Sequence, residues 1–152
     1  QQAGGQLFAA VAQNFDHPDV MSFVEDTIAN LRDEASVRAV SSILRNMPRD
    51  LFLTNPSLVS RVLEAAAKVS EDAVGEVGGA MHGAVTSGSY TGSPGQPFPR
   101  DVQQRDQARA IASTLAPGSW TERFYRSLEK SAEERIRWQA ERDQKFLDNR
   151  DW

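Results

Sequence analysis

Residues 55–85 read NPSLVSRVLEAAAKVSEDAVGEVGGAMHGAV, and the recurrence of their apolar positions decides the fold. Asn55-Pro56 is a helix start: asparagine can cap, and the proline ring suits the first turn. Leu58, Val59, Val62, Leu63, Ala66 and Val69 then return at helical spacing and cover roughly 140° of one face. Ser60, Arg61, Glu64 and Lys68 fall on the other side. Ser70-Glu71-Asp72 restarts the chain, with a capping hydroxyl and two acids for the positive end of a new helix dipole. Val74, Val77, Met81, Ala84 and Val85 form the second stripe. One hairpin cannot bury two apolar faces by itself, so helices must flank it.

Upstream, Leu7, Phe8, Val11 and Phe15 suggest a short helix over about 6–14. Asp16-His17-Pro18 opens the next, with Val20, Phe23, Val24, Ile28 and Leu31 on one face. Asp33-Glu34 opens another, with Val37, Val40, Ile43, Leu44 and Met47 inward, and Pro48 stops it. Leu51-Phe52-Leu53 reads as a short apolar plug against the central hairpin. Downstream, residues 86–100 form a loop rich in Gly, Ser and Pro, and 87–96 is expected to be the most mobile internal segment. Asp101 can cap a helix that points Val102, Ala108, Ile111, Ala112 and Leu115 inward. Pro117-Gly118 breaks it, and Ser119 with Glu122 makes a capping box for the last helix. Its stripe is Trp120, Phe124, Tyr125, Leu128, Ala132 and Ile136. Beyond Ile136, Gln139, Arg142 and Asp143 fall on the same face, so the chain from Arg137 onward is expected to project past the core.

The helix starts pair into three hairpins, about 18–47, 55–85 and 101–148. In the first two, the leading helices begin 38 residues apart and the second helices 36. That period lies close to the HEAT and armadillo class of helical repeats. The stretch Leu31-Arg32-Asp33-Glu34-Ala35-Ser36-Val37-Arg38 also resembles the HEAT turn, where an Asp precedes a Val-Arg pair opening the second helix. The resemblance implies an all-α, HEAT-like α-solenoid fragment: a right-handed stack of antiparallel helix hairpins, second helices lining the concave side. The alternative is an irregular six-to-seven-helix bundle. Either way residues 1–152 read as a single α-helical domain. A start at Gln1-Gln2-Ala3-Gly4-Gly5, without Met, reads as the C-terminal part of a longer protein.

Composition narrows the function classes. The chain has 152 residues, a formal charge of −4 and no cysteine, which excludes disulfides, thiol catalysis and Cys-ligated zinc. The acidic balance argues against nucleic acid as partner. No apolar run approaches the ~18 residues of a membrane span, and a cytoplasmic location is expected. His17 and His82 are the only histidines and stand 65 residues apart. With no nucleophile elbow, phosphate loop or ligand spacing, the sequence points to no enzyme, cofactor or metal.

Three groups of residues stand out as candidate binding residues. Gly75, Gly79 and Gly83 are spaced four apart on one helix, with His82 at their edge. Each costs a helix interior about 1 kcal/mol relative to alanine, so something should approach closely: another helix of this chain, or a partner's backbone. Arg38, Ser41 and Arg45 share a face read as opposite Val37, Val40 and Leu44, where they could receive an acidic or phosphorylated segment. Trp138, Phe146 and Trp152 sit in the charged tail. The reading is a non-catalytic protein–protein interaction or scaffold module whose partner is another protein or the rest of its parent chain. Its rivals are an α-helical structural protein that assembles with its own copies through the last helix, and a regulatory domain of a larger enzyme.

Overall fold

A computed structural model describes residues 18–86 and 99–150. Among them it contains seven helices and no strand: α1 (Pro18–Asn30), α2 (Glu34–Arg45), α3 (Arg49–Leu53), α4 (Pro56–Ala67), α5 (Glu71–Thr86), α6 (Pro99–Ala112) and α7 (Trp120–Arg150). The expected helix at 6–14, the loop over 87–96, His17 and Trp152 lie outside the described residues. Contacts gather α1–α5 into one compact unit and α6–α7 into another.

In the first unit the start signals act much as their chemistry predicts. Asp33 caps α2 by accepting from the Ser36 backbone N–H at 2.8 Å, while Ser36 Oγ accepts from the Asp33 N–H at 2.9 Å. Hydrogen bonding from the Ser36 backbone N–H, and then from the Ser36 side chain, holds the Asp33 carboxyl below its ordinary pKa. Its contribution to stability is therefore whole above the unfolded-chain value and fades as pH falls through the lowered one. Ser70 accepts from the Ala73 N–H at 3.1 Å at the start of α5. Asn55 makes no side-chain cap, and Pro56 alone marks that start.

α5 is the centre of this unit. It packs along α2 and α4 and covers α3, while α1 packs on α2 and α4. First helix therefore meets first helix (α1, α4) and second meets second (α2, α5). Three side-chain bonds tie these elements together. Arg61 pairs with Glu25, Ser70 Oγ donates to Glu34 Oε1 at 2.8 Å, and Arg49 donates Nε–H to the Val85 carbonyl at 3.1 Å. Each joins residues 36 positions apart. The core comprises the expected stripes of α4 and α5, Val37, Val40 and Leu44 of α2, and the fully buried Leu51, Phe52 and Leu53; Ile43, expected inward, is 48% exposed because it lies about 100° round the helix from Leu44. The plug is thus a short helix, α3.

In the second unit α6 lies antiparallel along the first half of α7. Gly118, at φ +82°, turns the chain between them in a conformation that favours glycine. Ser119 caps α7 through the Glu122 N–H at 3.2 Å, and Glu122 Oε1 accepts from the Gly118 N–H, one residue earlier than a reciprocal box requires. The seam of α6 differs from the hydropathy reading. Asp101, Gln104, Ala108 and Ala112 are buried, whereas Val102, Ile111 and Leu115 are only half-buried. Polar side chains can lie inside because α7 meets them with matching groups. Arg135 donates Nε–H to Asp101 Oδ1 at 2.7 Å and Nη2–H to Gln104 Oε1 at 3.0 Å. Gln104 Nε2 in turn donates to the Leu128 carbonyl at 2.8 Å. At 1.5 Å per residue α7 runs to about 46 Å, more than twice the length of α6.

Candidate functional site

The α2–α5 face gathers most of the residues singled out in the sequence. The two helices run parallel: Ser70, just ahead of α5, bonds Glu34 at the start of α2, and Gly83 near the end of α5 lies beside Arg45 at the end of α2. A Cβ built on Gly83 would stand 3.8 Å from Arg45 Cγ, an ordinary contact. On Gly75 and Gly79, both exposed, a Cβ would meet nothing within 4 Å. Close packing inside the described chain therefore does not account for those two glycines. Gly78, which the sequence reading passed over, is the one that faces the core, 3.7 Å from Leu63 Cδ2. His82 is half-buried at the edge of the row.

Arg38 and Arg45 are exposed, but Ser41 is not where the sequence reading put it. Only 2% of it is exposed, and its Oγ has no hydrogen-bond partner among the described residues. Helical geometry explains the difference. Ser41 lies four residues after Val37 and three before Leu44, both buried, and so falls on the edge of the apolar stripe. Ser42 takes its place on the outer face, exposed between Arg38 and Arg45. A buried hydroxyl without a partner carries its desolvation cost with no bond to offset it. Ser41→Ala is accordingly expected to leave the denaturation midpoint unchanged or to raise it. A loss above about 1 kcal/mol in urea unfolding would contradict that placement.

On α7 the exposed apolar residues are Trp138, Phe146 and Leu147. The Arg142 guanidinium stacks 4.9 Å from the centroid of Trp138. The core stripe does not end at Ile136: Gln139 is 3% exposed and Asp143 half-buried, while every other residue with a described side chain from Ala140 to Asn149 is exposed. Leu147 follows Phe146 directly, the two forming an apolar pair between Lys145 and Asp148. The Asp101–Gln104–Arg135 cluster escaped because none of the three is apolar. Its signal was positional, since 101, 104, 108 and 112 share one helix face.

The α2–α5 face offers guanidiniums, a hydroxyl and bare backbone, which is chemistry for holding an anion or a close-lying chain. Among the described residues no three His, Asp or Glu side chains gather to hold a metal ion, and no helix is long and apolar enough to cross a membrane. Comparison with known proteins finds no family model, curated protein or solved structure that matches the chain.

Proposed function

We propose that this chain is a non-catalytic interaction module of HEAT-like helical-repeat type, whose α2–α5 face receives an acidic or phosphorylated segment of a partner protein. The observation that carries this reading is the open row at Gly75 and Gly79. Two glycines that each cost the helix about 1 kcal/mol have no described side chain above them. A partner's backbone lying on the bare row would offset that cost. Arg38 and Arg45, with Ser42 between them, supply charge-assisted bonds alongside. Asp72 and Glu76 stand towards the start of α5, so the anionic group is expected near Arg45 and Gly83. The repeat reading draws support from the first-on-first and second-on-second packing, and from bonds that join positions 36 apart.

The test pairs stability with binding. Gly75→Ala and Gly79→Ala should each stabilise the free protein by about 0.5–1 kcal/mol, because alanine fits and favours the helix. The same changes should weaken binding in calorimetric titrations with a panel of phosphoserine peptides and their glutamate counterparts. Arg38→Glu with Arg45→Glu should abolish that binding. A panel in which nothing binds overturns the reading, and so does a loss of stability on either alanine substitution.

A further inference from the structure

We propose that Ser42 is a phosphorylation site, and that a phosphate placed there closes over Arg38 and Arg45 and withdraws them from the α2–α5 face. In its consequence for binding the proposal rests on the reading of that face as one that receives an acidic segment. Ser42 is exposed in the last turn of α2. Its Oγ holds no hydrogen bond among the described residues, while its carbonyl accepts from Asn46 Nδ2 at 2.9 Å. Other hydroxyls near helix ends turn back onto a carbonyl four residues earlier. Thr54, Thr86 and Ser113 donate in this way to the Asp50, His82 and Arg109 carbonyls, at 2.7, 3.0 and 2.8 Å. Ser42 instead leaves its hydroxyl open.

The cations beside it are equally open. Arg38 lies four residues before Ser42 and Arg45 three after, so both are its neighbours on the helix surface, with about 5–6 Å between Cβ atoms. Helical side chains lean toward the helix start, which carries the Arg45 stem back over Ser42. Both arginines are exposed, and neither makes an ion pair or hydrogen bond among the described residues. Arg61, Arg109, Arg126 and Arg135, by contrast, each hold a carboxylate. No acidic residue occurs from 35 to 49, so a phosphate at Ser42 meets no like charge from its own helix. Across on α5, Gly83 lies beside Arg45, and Glu76 stands about two turns nearer the start of that helix. The step is transfer of the γ-phosphoryl group of ATP by a serine kinase. The Ser42 Oγ–P bond forms, the bond from that phosphorus to the β,γ-bridging oxygen breaks, ADP leaves, and the hydroxyl proton passes to the kinase's base. The product carries about −1.5 to −2 charge and three acceptor oxygens. Charge-assisted bonds to both guanidiniums then leave an incoming acidic segment without its cationic partners.

Three readouts on the full chain test the proposal. In the first, the chain is incubated with magnesium ATP and a panel of serine kinases that act on arginine-flanked sites, and its tryptic peptide 39–45 is sequenced by mass spectrometry. Phosphate is expected on Ser42 and not on the buried Ser41, and Ser42→Ala should leave the peptide unmodified. The second uses phosphoserine genetically encoded at position 42, with circular dichroism reporting that α2 is kept. In phosphorus-31 NMR the second pKa of the phosphate, ordinarily about 6, should fall by at least about 0.5, because the guanidiniums favour the dianion. Arg38→Gln with Arg45→Gln should return it to its ordinary value. The third is the peptide titration of the α2–α5 face, which the phosphate should weaken at least about tenfold. A Ser42 that no kinase of the panel modifies overturns the proposal. So does a phosphate that titrates as it does in a free peptide, or one that leaves peptide binding intact. If no peptide binds the unmodified chain, the reading of the face fails by itself, and the first two readouts still decide whether a phosphate forms at Ser42 and closes on the arginines.

Discussion

Replacing Arg135 by alanine should cost about 3–5 kcal/mol of stability, because the change strands a buried carboxylate. Asp101 is fully buried, and Arg135 is the bonded partner of its Oδ1, while Oδ2 has no hydrogen bond among the described residues. Arg135 also spans to Gln104 and to Ser131 Oγ, the latter at 2.8 Å, so three groups lose their donor together. A surface ion pair, such as Arg126 with Glu122 on the same helix, is worth far less when cut. The design has a sharper arm. Asp101→Leu with Arg135→Met removes both charges at similar volume, and such replacements are often neutral or stabilising by about 1–4 kcal/mol. Urea unfolding of wild type, single and double variants decides the matter. An Arg135→Ala variant within about 1 kcal/mol of wild type would show that water reaches Asp101 and solvates it.

Phe52→Ala is the second large effect, expected at about 3–5 kcal/mol. α3 has five residues, too few to hold a helix by backbone bonds alone, and Pro48 gives it no side-chain cap. Its three consecutive buried residues cover about 200° of the helix, and only Asp50 is exposed on the remaining side. Truncating Phe52 opens a cavity at the centre of that contact, beneath α5. The loss is a large share of a typical total of about 5–15 kcal/mol. Ile43→Ala serves as the control. Ile43 is exposed on α2, and its truncation should change the midpoint by no more than about 0.5 kcal/mol. Equal losses at the two positions would mean that α3 is not enclosed as described.

Much of the fold was legible in the sequence because helix punctuation is local chemistry. Pro48, Pro56 and Ser119 mark boundaries where the chain does start or stop, and the stripes of α4 and α5, and that of α2 apart from Ile43, enter the core. What escaped depends on partners that no local pattern reveals. Asp101 and Gln104 lie inside only because Arg135, more than thirty positions on, brings donors to them. Gln139 looked like the end of a stripe and is buried. Ser41 shows the limit of assigning faces when a residue lies at the edge of an apolar arc. The glycine row was legible as a cost. The structure adds that, within the described chain, nothing fills the space over two of its members.

The enclosure of α3 also has a consequence in time. Leu51, Phe52 and Leu53 leave the ribosome before α5, which ends at Thr86, thirty-three residues after Leu53. At about 5–20 residues per second, this apolar run waits roughly 2–7 s for the helix that shields it. During that interval the three side chains stand without the helix that covers them, as apolar surface open to a chaperone.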